Sequence, residues 1–343
     1  MSRRQPPKKD EPKKAGKSQF SAPGQGEFEA HYSGTAVGAL RMPSAENQLS
    51  TTVRNQNPSF REAIDPNGYL PEIFFDGLQL DATGTPLLYE FDLNIIPLDA
   101  TVVNFGMRRT GKSVLARHIL WHLRNEYHRG VVMSDTDKLN QFYHQHFPPN
   151  RIIDHLDQAI LKNILLLQER FIKVLNMRYG NAQKVPDEEW RDVRVLLLFD
   201  DVIQDDNAVR YNPPLNQVFV AGRHFKTFFL MNTQYEKAIP PKMRNNVDVA
   251  FMFYHENLDA IEHLWRLFGN TLDRHHFTKI FNKYTQDHMT LVSARSTITS
   301  PRLIDRLWWF KADISLENVE FELGENQRGT SVRDSQFDPA LEG

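Results

Sequence analysis

The octapeptide Gly106-Met107-Arg108-Arg109-Thr110-Gly111-Lys112-Ser113 constrains this chain more than any other stretch. It fits G-x-x-x-x-G-K-[ST] in the context that gives the pattern meaning, a strand before and a helix after. An apolar run, Thr101–Phe105, leads into it, and apolar residues at Leu115, Ile119 and Leu123, spaced by four, leave it as one helix face. The glycines let the loop curl so that backbone N–H groups turn inward toward an anion. A helix starting near Gly111 adds its positive dipole end. Residues 106–113 are therefore the expected phosphate-binding set. Lys112 reaches the β- and γ-phosphates as a point charge, and Ser113 offers a hydroxyl to Mg2+. The expected ligands are ATP and Mg2+.

Strand-length apolar runs recur beyond the loop, at 130–133, 193–199, 227–231 and 247–253. Helical spacing links Ile160, Ile164, Leu167, Phe171 and Leu175, with a stop near Gly180, and residues 258–268 read as a helix ending at Gly269. Residues 289–292 and 307–310 read as late edge strands. Such alternation over some 200 residues predicts an α/β fold, a mostly parallel sheet covered by helices on both faces. Ahead of it, the apolar runs at 73–75, 87–91 and 94–98 suggest a β-rich lead-in after the turn signal at residues 65–68. The expected organisation is a disordered basic tail (1–26), a lead-in (27–84), the main domain (85–315) and a flexible acidic tail (316–343).

Three further features narrow the chemistry. The run 193–199 ends on two acids: Asp200 is placed to hold Mg2+ through water, and Asp201 to orient and deprotonate an attacking water. The run 227–231 leads into Asn232-Thr233-Gln234, where Gln234, or second Asn232, is the candidate for sensing a γ-phosphate. Pro240-Pro241-Lys242-Met243-Arg244 is a rigid turn before the next strand. Arg244 there is a candidate finger into a neighbouring subunit's site, with Arg223 as its competitor.

Charge limits the partners. Residues 1–18 carry about +5 while the whole chain carries −2, so the rest is acidic. Nucleic acid must then be met by a local basic patch, an assembled pore or the tail. Lys184, Arg210 and Lys226 are candidates for such contact, and equally for solvated charges. No stretch of 18 apolar residues suits a membrane span. The 13 histidines lack the spacing of a metal motif, and Trp308-Trp309 reads as packing rather than base stacking.

These four features, in this order over residues 101–253, resemble the FtsK–HerA superfamily of ring-forming DNA-pumping ATPases. The chain is more similar still to the poxvirus-type virion DNA-packaging ATPases of large DNA viruses. That closer likeness is carried by Ser134-Asp135-Thr136-Asp137-Lys138-Leu139-Asn140, by Phe199-Asp200-Asp201, and by Ala221-Gly222-Arg223-His224 with Gln234 and residues 241–246. Residues 307–312 add to it. The resemblance spans roughly residues 85–315. It implies a RecA-like core, a homo-oligomeric ring, double-stranded DNA as translocated substrate and a capsid or portal-vertex partner. It also implies a location in the virion or at the virus assembly site in the infected cell. Asp201 stands where most hydrolysing motors with such a loop carry Glu. The alternatives are a helicase or conjugation-type DNA pump, and a slow nucleotide-hydrolysing scaffold or switch.

Overall fold

Parallel strands buried on both faces need continuous apolar runs and helical crossovers, and both are present. The computed structural model describes residues 79–203, 209–294 and 305–323. The basic N-terminal run, the turn signal at 65–68 and the apolar run at 73–75 lie outside the described residues. The strands are β1 Thr101–Phe105, β2 Arg129–Ser134, β3 Ile152–Ile153, β4 Val195–Asp200, β5 Thr227–Thr233, β6 Val249–Met252, β7 Met289–Ala294 and β8 Leu307–Lys311. They form one sheet in the order β3-β2-β4-β5-β1-β6-β7-β8. The first six in that order are parallel; β7 and β8 run antiparallel to their neighbours.

The main helices are α1 Lys112–Leu123, α2 Gln158–Tyr179, α3 Asp187–Val193, α4 Pro213–Ala221, α5 Leu258–Leu264 and α6 Arg274–Tyr284. Alternate strand residues point to opposite faces, and each face has its own cover. On one side Leu115, Ile119 and Leu123 of α1 join Val102, Leu198 and Leu230. On the other, Leu161, Ile164 and Leu165 of α2 and Leu215, Val218 and Phe219 of α4 join Val103, Leu197 and Phe229. Full burial of each such side chain contributes about 1.5–3 kcal/mol. Sequence sets the helix ends. Asp157 caps α2 by accepting from the N–H groups of Ala159 and Ile160, and Gly180, at φ 87, closes it.

Several expectations need correction. Residues 94–98 are not strand: Leu93–Ile95 is a single 3-10 turn capped by Asp92, whose carboxylate accepts from the Asn94 N–H. The run 87–91 contributes one parallel bridge, Glu90 to Trp309, rather than a strand. The run 193–199 is divided, because Val193 ends α3 and the strand starts at Val195. Helices α3, α4 and α6 and the two-residue β3 are additions, too short or too mixed in polarity to stand out. The 258–268 helix turns into a π-helical turn at Trp265–Gly269. Of the two late strands, β7 lies inside the sheet and β8 is at the edge. Trp308 packs edge-on against Phe91 at 5.6 Å, the packing role expected of it. Residues 316–323 lie on the body, with Leu316, Phe321 and Leu323 buried.

Gly269 ends that π turn where it packs against α6. A Cβ there would lie 2.1 Å from Cδ2 of the fully buried Phe277. Gly269→Ala should lower stability by about 1–3 kcal/mol in denaturant unfolding; an unchanged midpoint would show that Phe277 moves freely.

Candidate functional site

Parallel register brings one row of polar side chains to the carboxyl end of the sheet. Ser134 pairs with Asp200, Asp200 with Asn232, and Asn232 with Asn104, across four adjacent strands. All four are buried. Asn104 Nδ2 donates to Asn232 Oδ1 at 2.8 Å, and Asn232 Nδ2 donates to Asp200 Oδ1 at 2.8 Å. From outside the sheet, Tyr143 donates its hydroxyl to Asp200 Oδ2 at 2.9 Å. Each carboxylate oxygen of Asp200 thus has its own donor. Burial raises the Asp200 pKa and the Asp201 charge adds to that, while the Asn232 and Tyr143 hydrogen bonds and the Lys112 ammonium oppose the rise.

The loop at residues 106–113 follows β1, on the far side of β5 from Asp200. It is tied to β5 by the Gly106 N–H, which donates to Thr233 O at 3.2 Å. A Cβ on Gly106 would meet Phe253 Cβ at 2.6 Å and Thr110 Oγ1 at 2.7 Å, so only glycine fits. Gly111, at φ 109, takes a left-handed turn into α1. α2, α4, α5 and α6 begin on Asp157, Asn212, Asn257 and Asp273, whose side chains accept from first-turn N–H groups. α1 begins on Gly111 with no side-chain cap. Its first-turn N–H groups have no side-chain acceptor, as is also the case for α3 behind Pro186.

Lys112 is buried, and its Nζ donates to Gly106 O at 2.9 Å and Met107 O at 3.0 Å. Burial lowers its pKa; the charges of Asp201 and Asp200 work the other way, and Arg108 adds to the lowering. Met107, Arg108, Arg109 and Thr110 form the crown of the loop, where Thr110 Oγ1 donates to Met107 O at 2.8 Å. Arg109 is left-handed, at φ 64.

Asp201 is also left-handed, at φ 55, and its N–H donates to Asn232 O at 3.2 Å. Its carboxylate accepts from Gln234 Nε2 at 2.6 Å. The structure therefore joins Asp201 to Gln234 and Asp200 to Asn232, one amide for each acid. Ser113 on the first turn of α1 and Asp200 at the end of β4 are both oxygen donors. Such a set fits Mg2+, a hard ion that keeps waters and phosphate oxygens as ligands. Among the described residues no group of three or more His, Cys, Asp or Glu could hold a metal ion.

The chain matches no family model. An uncharacterised protein, L437, of Acanthamoeba polyphaga mimivirus is 27% identical over 226 residues, 66% of this chain and 77% of that one. Uncharacterised protein 075L of Invertebrate iridescent virus 6 is 28% identical over 211 residues, 61% of this chain and 76% of its own. Among solved structures, the genome packaging NTPase B204 of Sulfolobus turreted icosahedral virus 2, in complex with AMPPCP, is 15% identical with a TM-score of 0.41. That match covers 64% of this chain and 100% of B204. The pCW3 conjugation coupling protein TcpA matches 66% of this chain and 69% of its own, with 15% identity and a TM-score of 0.46.

The two candidate arginines are placed differently. Arg223 forms an ion pair with the buried Asp248, whose other oxygen accepts from the N–H of Thr101, the first residue of β1. Arg223 thus sits at the amino end of β1, about 17 Å of strand away from the loop at roughly 3.3 Å per residue. Arg244 donates through Nε to Ile239 O at 2.7 Å and lies near His263 of α5, where burial and then the arginine's charge lower the histidine pKa. Lys226 is spoken for: its Nζ lies 4.9 Å from the Trp190 ring centroid and 3.6 Å from Asp99.

Sequence reasoning missed Tyr143, Asn104 and His288. Asn104 sits inside an apolar run, and that lone polar residue two before the loop was the available signal. His288, at φ 61 beside Asp287 at φ 51, places Nδ1 3.2 Å from Thr110 O and so donates to the loop's own backbone. Nothing in its local sequence marks it.

Lys112→Met gives a test with a defined sign. The folded-state pKa of Lys112 is lowered from its ordinary 10.5, so the buried ammonium costs stability at neutral pH, and the cost fades as pH rises toward 10.5. The variant should therefore melt higher than wild type at pH 7, with the gain shrinking toward pH 10, while losing nucleotide binding. A lower melting point at pH 7 would contradict this electrostatic account.

Proposed function

We propose that this chain is an ATP-hydrolysing motor that moves double-stranded DNA, and that it serves as a genome-packaging ATPase in a homo-oligomeric ring. The observation that carries the hydrolytic part is the paired arrangement at the ends of β4 and β5. One acid, Asp200, is fixed by Asn232 and Tyr143, and the next, Asp201, is held by Gln234 at 2.6 Å. A nucleoside kinase would have no use for a second, water-directed acid.

In this reading the backbone of residues 106–113 and the first turn of α1 cradle the triphosphate of ATP. Lys112 leaves the carbonyls of Gly106 and Met107 for the β- and γ-phosphates. Ser113 and, through water, Asp200 hold Mg2+, which when bound neutralises charge on the phosphate oxygens. Asp201 accepts the proton of the attacking water and Gln234 orients both. Arg244 of a neighbouring subunit stabilises the charge that develops in the transition state. Positioning and electrostatics do most of this work, so small displacements matter. The DNA substrate, a capsid or portal-vertex partner and a place in the virion or at the assembly site rest on the resemblance carried by residues 134–140, 199–201 and 221–246. The viral origin of the sequence relatives supports the same assignment.

The test is the ATPase rate of a size-separated oligomer with and without linear double-stranded DNA, for wild type and Lys112→Ala. The expected result is DNA-stimulated turnover in wild type, and none in the variant while its circular dichroism stays native. Full activity in Lys112→Ala would refute the site. Turnover indifferent to DNA would refute the motor and favour a nucleotide-hydrolysing scaffold.

A further inference from the structure

The fixing of Asp200 from the β5 side follows from sheet register, but the other side is held by a residue the sheet does not supply. We propose that Tyr143 is a positioning residue for Asp200, and that residues 137–146 are a clamp that sets this carboxylate for the metal–nucleotide complex; the inference rests on the function proposed above. The hydroxyl of Tyr143 lies 2.9 Å from Asp200 Oδ2, and both residues are buried, at 1% and 7% exposure. Each oxygen of an ionised carboxylate has two lone pairs. Tyr143 and Asn232 take one on each oxygen and leave the others for a metal-bound water.

The tyrosine is itself held. Its N–H donates to Asp137 Oδ1 at 2.8 Å, Asp137 is 1% exposed, and His144 Nδ1 lies 2.9 Å from the other Asp137 oxygen. Between them the chain turns through Gln141, left-handed at φ 50, whose N–H donates to Asp137 O at 2.7 Å. The Phe142 ring packs edge-on against Tyr143 with centroids 5.0 Å apart. On the far side His146 is tied to the C-terminal segment: its Nδ1 is 2.9 Å from Phe321 O, and its carbonyl accepts from the Leu323 N–H at 3.1 Å. A non-glycine residue in a left-handed turn, a buried carboxylate spent on a backbone N–H and two anchored flanks together fix a single hydroxyl. A tyrosine that only filled the core would leave this much constraint unexplained. Partners of this kind, one step removed from the metal, typically account for 10–100-fold in metal affinity or activity.

The experiment measures the affinity of the full-length oligomer for AMPPCP by calorimetry, with Mg2+ and with EDTA. Wild type, Tyr143→Phe, Asp137→Ala, Asp137→Asn and Asp200→Asn are compared, with melting followed in parallel. The metal-free affinity of Tyr143→Phe should match wild type, while its Mg2+-dependent gain in affinity should fall by about 10–100-fold. Asp137→Ala leaves the hydroxyl in place but frees the backbone that aims it, so the same gain should fall by a smaller factor. Asp137→Asn keeps an acceptor for the Tyr143 N–H and should restore the gain. A Tyr143→Phe protein that melts lower but keeps its full Mg2+-dependent gain overturns the proposal and leaves a core tyrosine. Should Tyr143→Phe fail to fold, the contrast between the two Asp137 variants decides, and equal gains in both overturn the clamp. An Asp200→Asn protein that keeps the Mg2+-dependent gain refutes the role of Asp200 itself, and the clamp falls with it.

Discussion

Asp200 is a carboxylate held at 7% exposure between two buried donors, at the end of a strand whose preceding residues, Val195–Phe199, are all apolar. Taking a charge out of water is costly unless hydrogen bonds replace hydration, and the surroundings are built to supply them. Register delivers Asn232 from β5 and fixes its amide through Asn104 of β1. A segment after β2 delivers Tyr143. In the order β2-β4-β5-β1, β5 lies between the acid pair and the loop at residues 106–113. Both strand neighbours of Asn232, Asp200 and Asn104, are polar, while the residues two positions earlier on the same face of each strand are Leu198, Leu230 and Val102.

Backbone strain gathers in the same place. Among the described residues the non-glycine residues at positive φ are Arg109, Gln141, Asp201, Lys226, Asp287 and His288. Five of them belong to the loop crown, the Tyr143 clamp, the acid pair or the turn that meets Thr110; Lys226 alone is at the opposite end of the sheet. Each costs of order 1–3 kcal/mol and persists only where neighbours enforce it. Such clustering is expected of a site that must be shaped before its ligand arrives, because positioning then costs nothing at the moment of reaction.

Much of this was legible in the sequence, for identifiable reasons. The loop showed itself because glycine conformation and lysine charge leave few substitutes. The strands behind the runs 130–133 and 227–231, and the part of 193–199 from Val195 on, showed themselves because burial on both faces favours continuous apolar residues. Asp200, Asp201, Asn232 and Gln234 stood out as polar residues at strand ends. Tyr143 did not, because its part depends on a turn folded by Asp137 and Gln141, and a tyrosine in mixed sequence carries no such mark. The run 94–98 misled because Asp92 caps a 3-10 turn that its apolar residues do not announce. Arg223 and Arg244 looked alike in sequence; only the fold shows that Arg223 is spent on Asp248 at the far end of β1.

The proposed division of labour between adjacent acids is the centre of this account: in it Asp200 holds the metal ion and Asp201 acts on water. Single-turnover hydrolysis of ATP with Mg2+ by Asp201→Asn, measured beside its affinity for AMPPCP with Mg2+, tests it most directly. The account predicts near wild-type affinity and a rate constant lower by about 100-fold or more. Hydrolysis at the wild-type rate would contradict it.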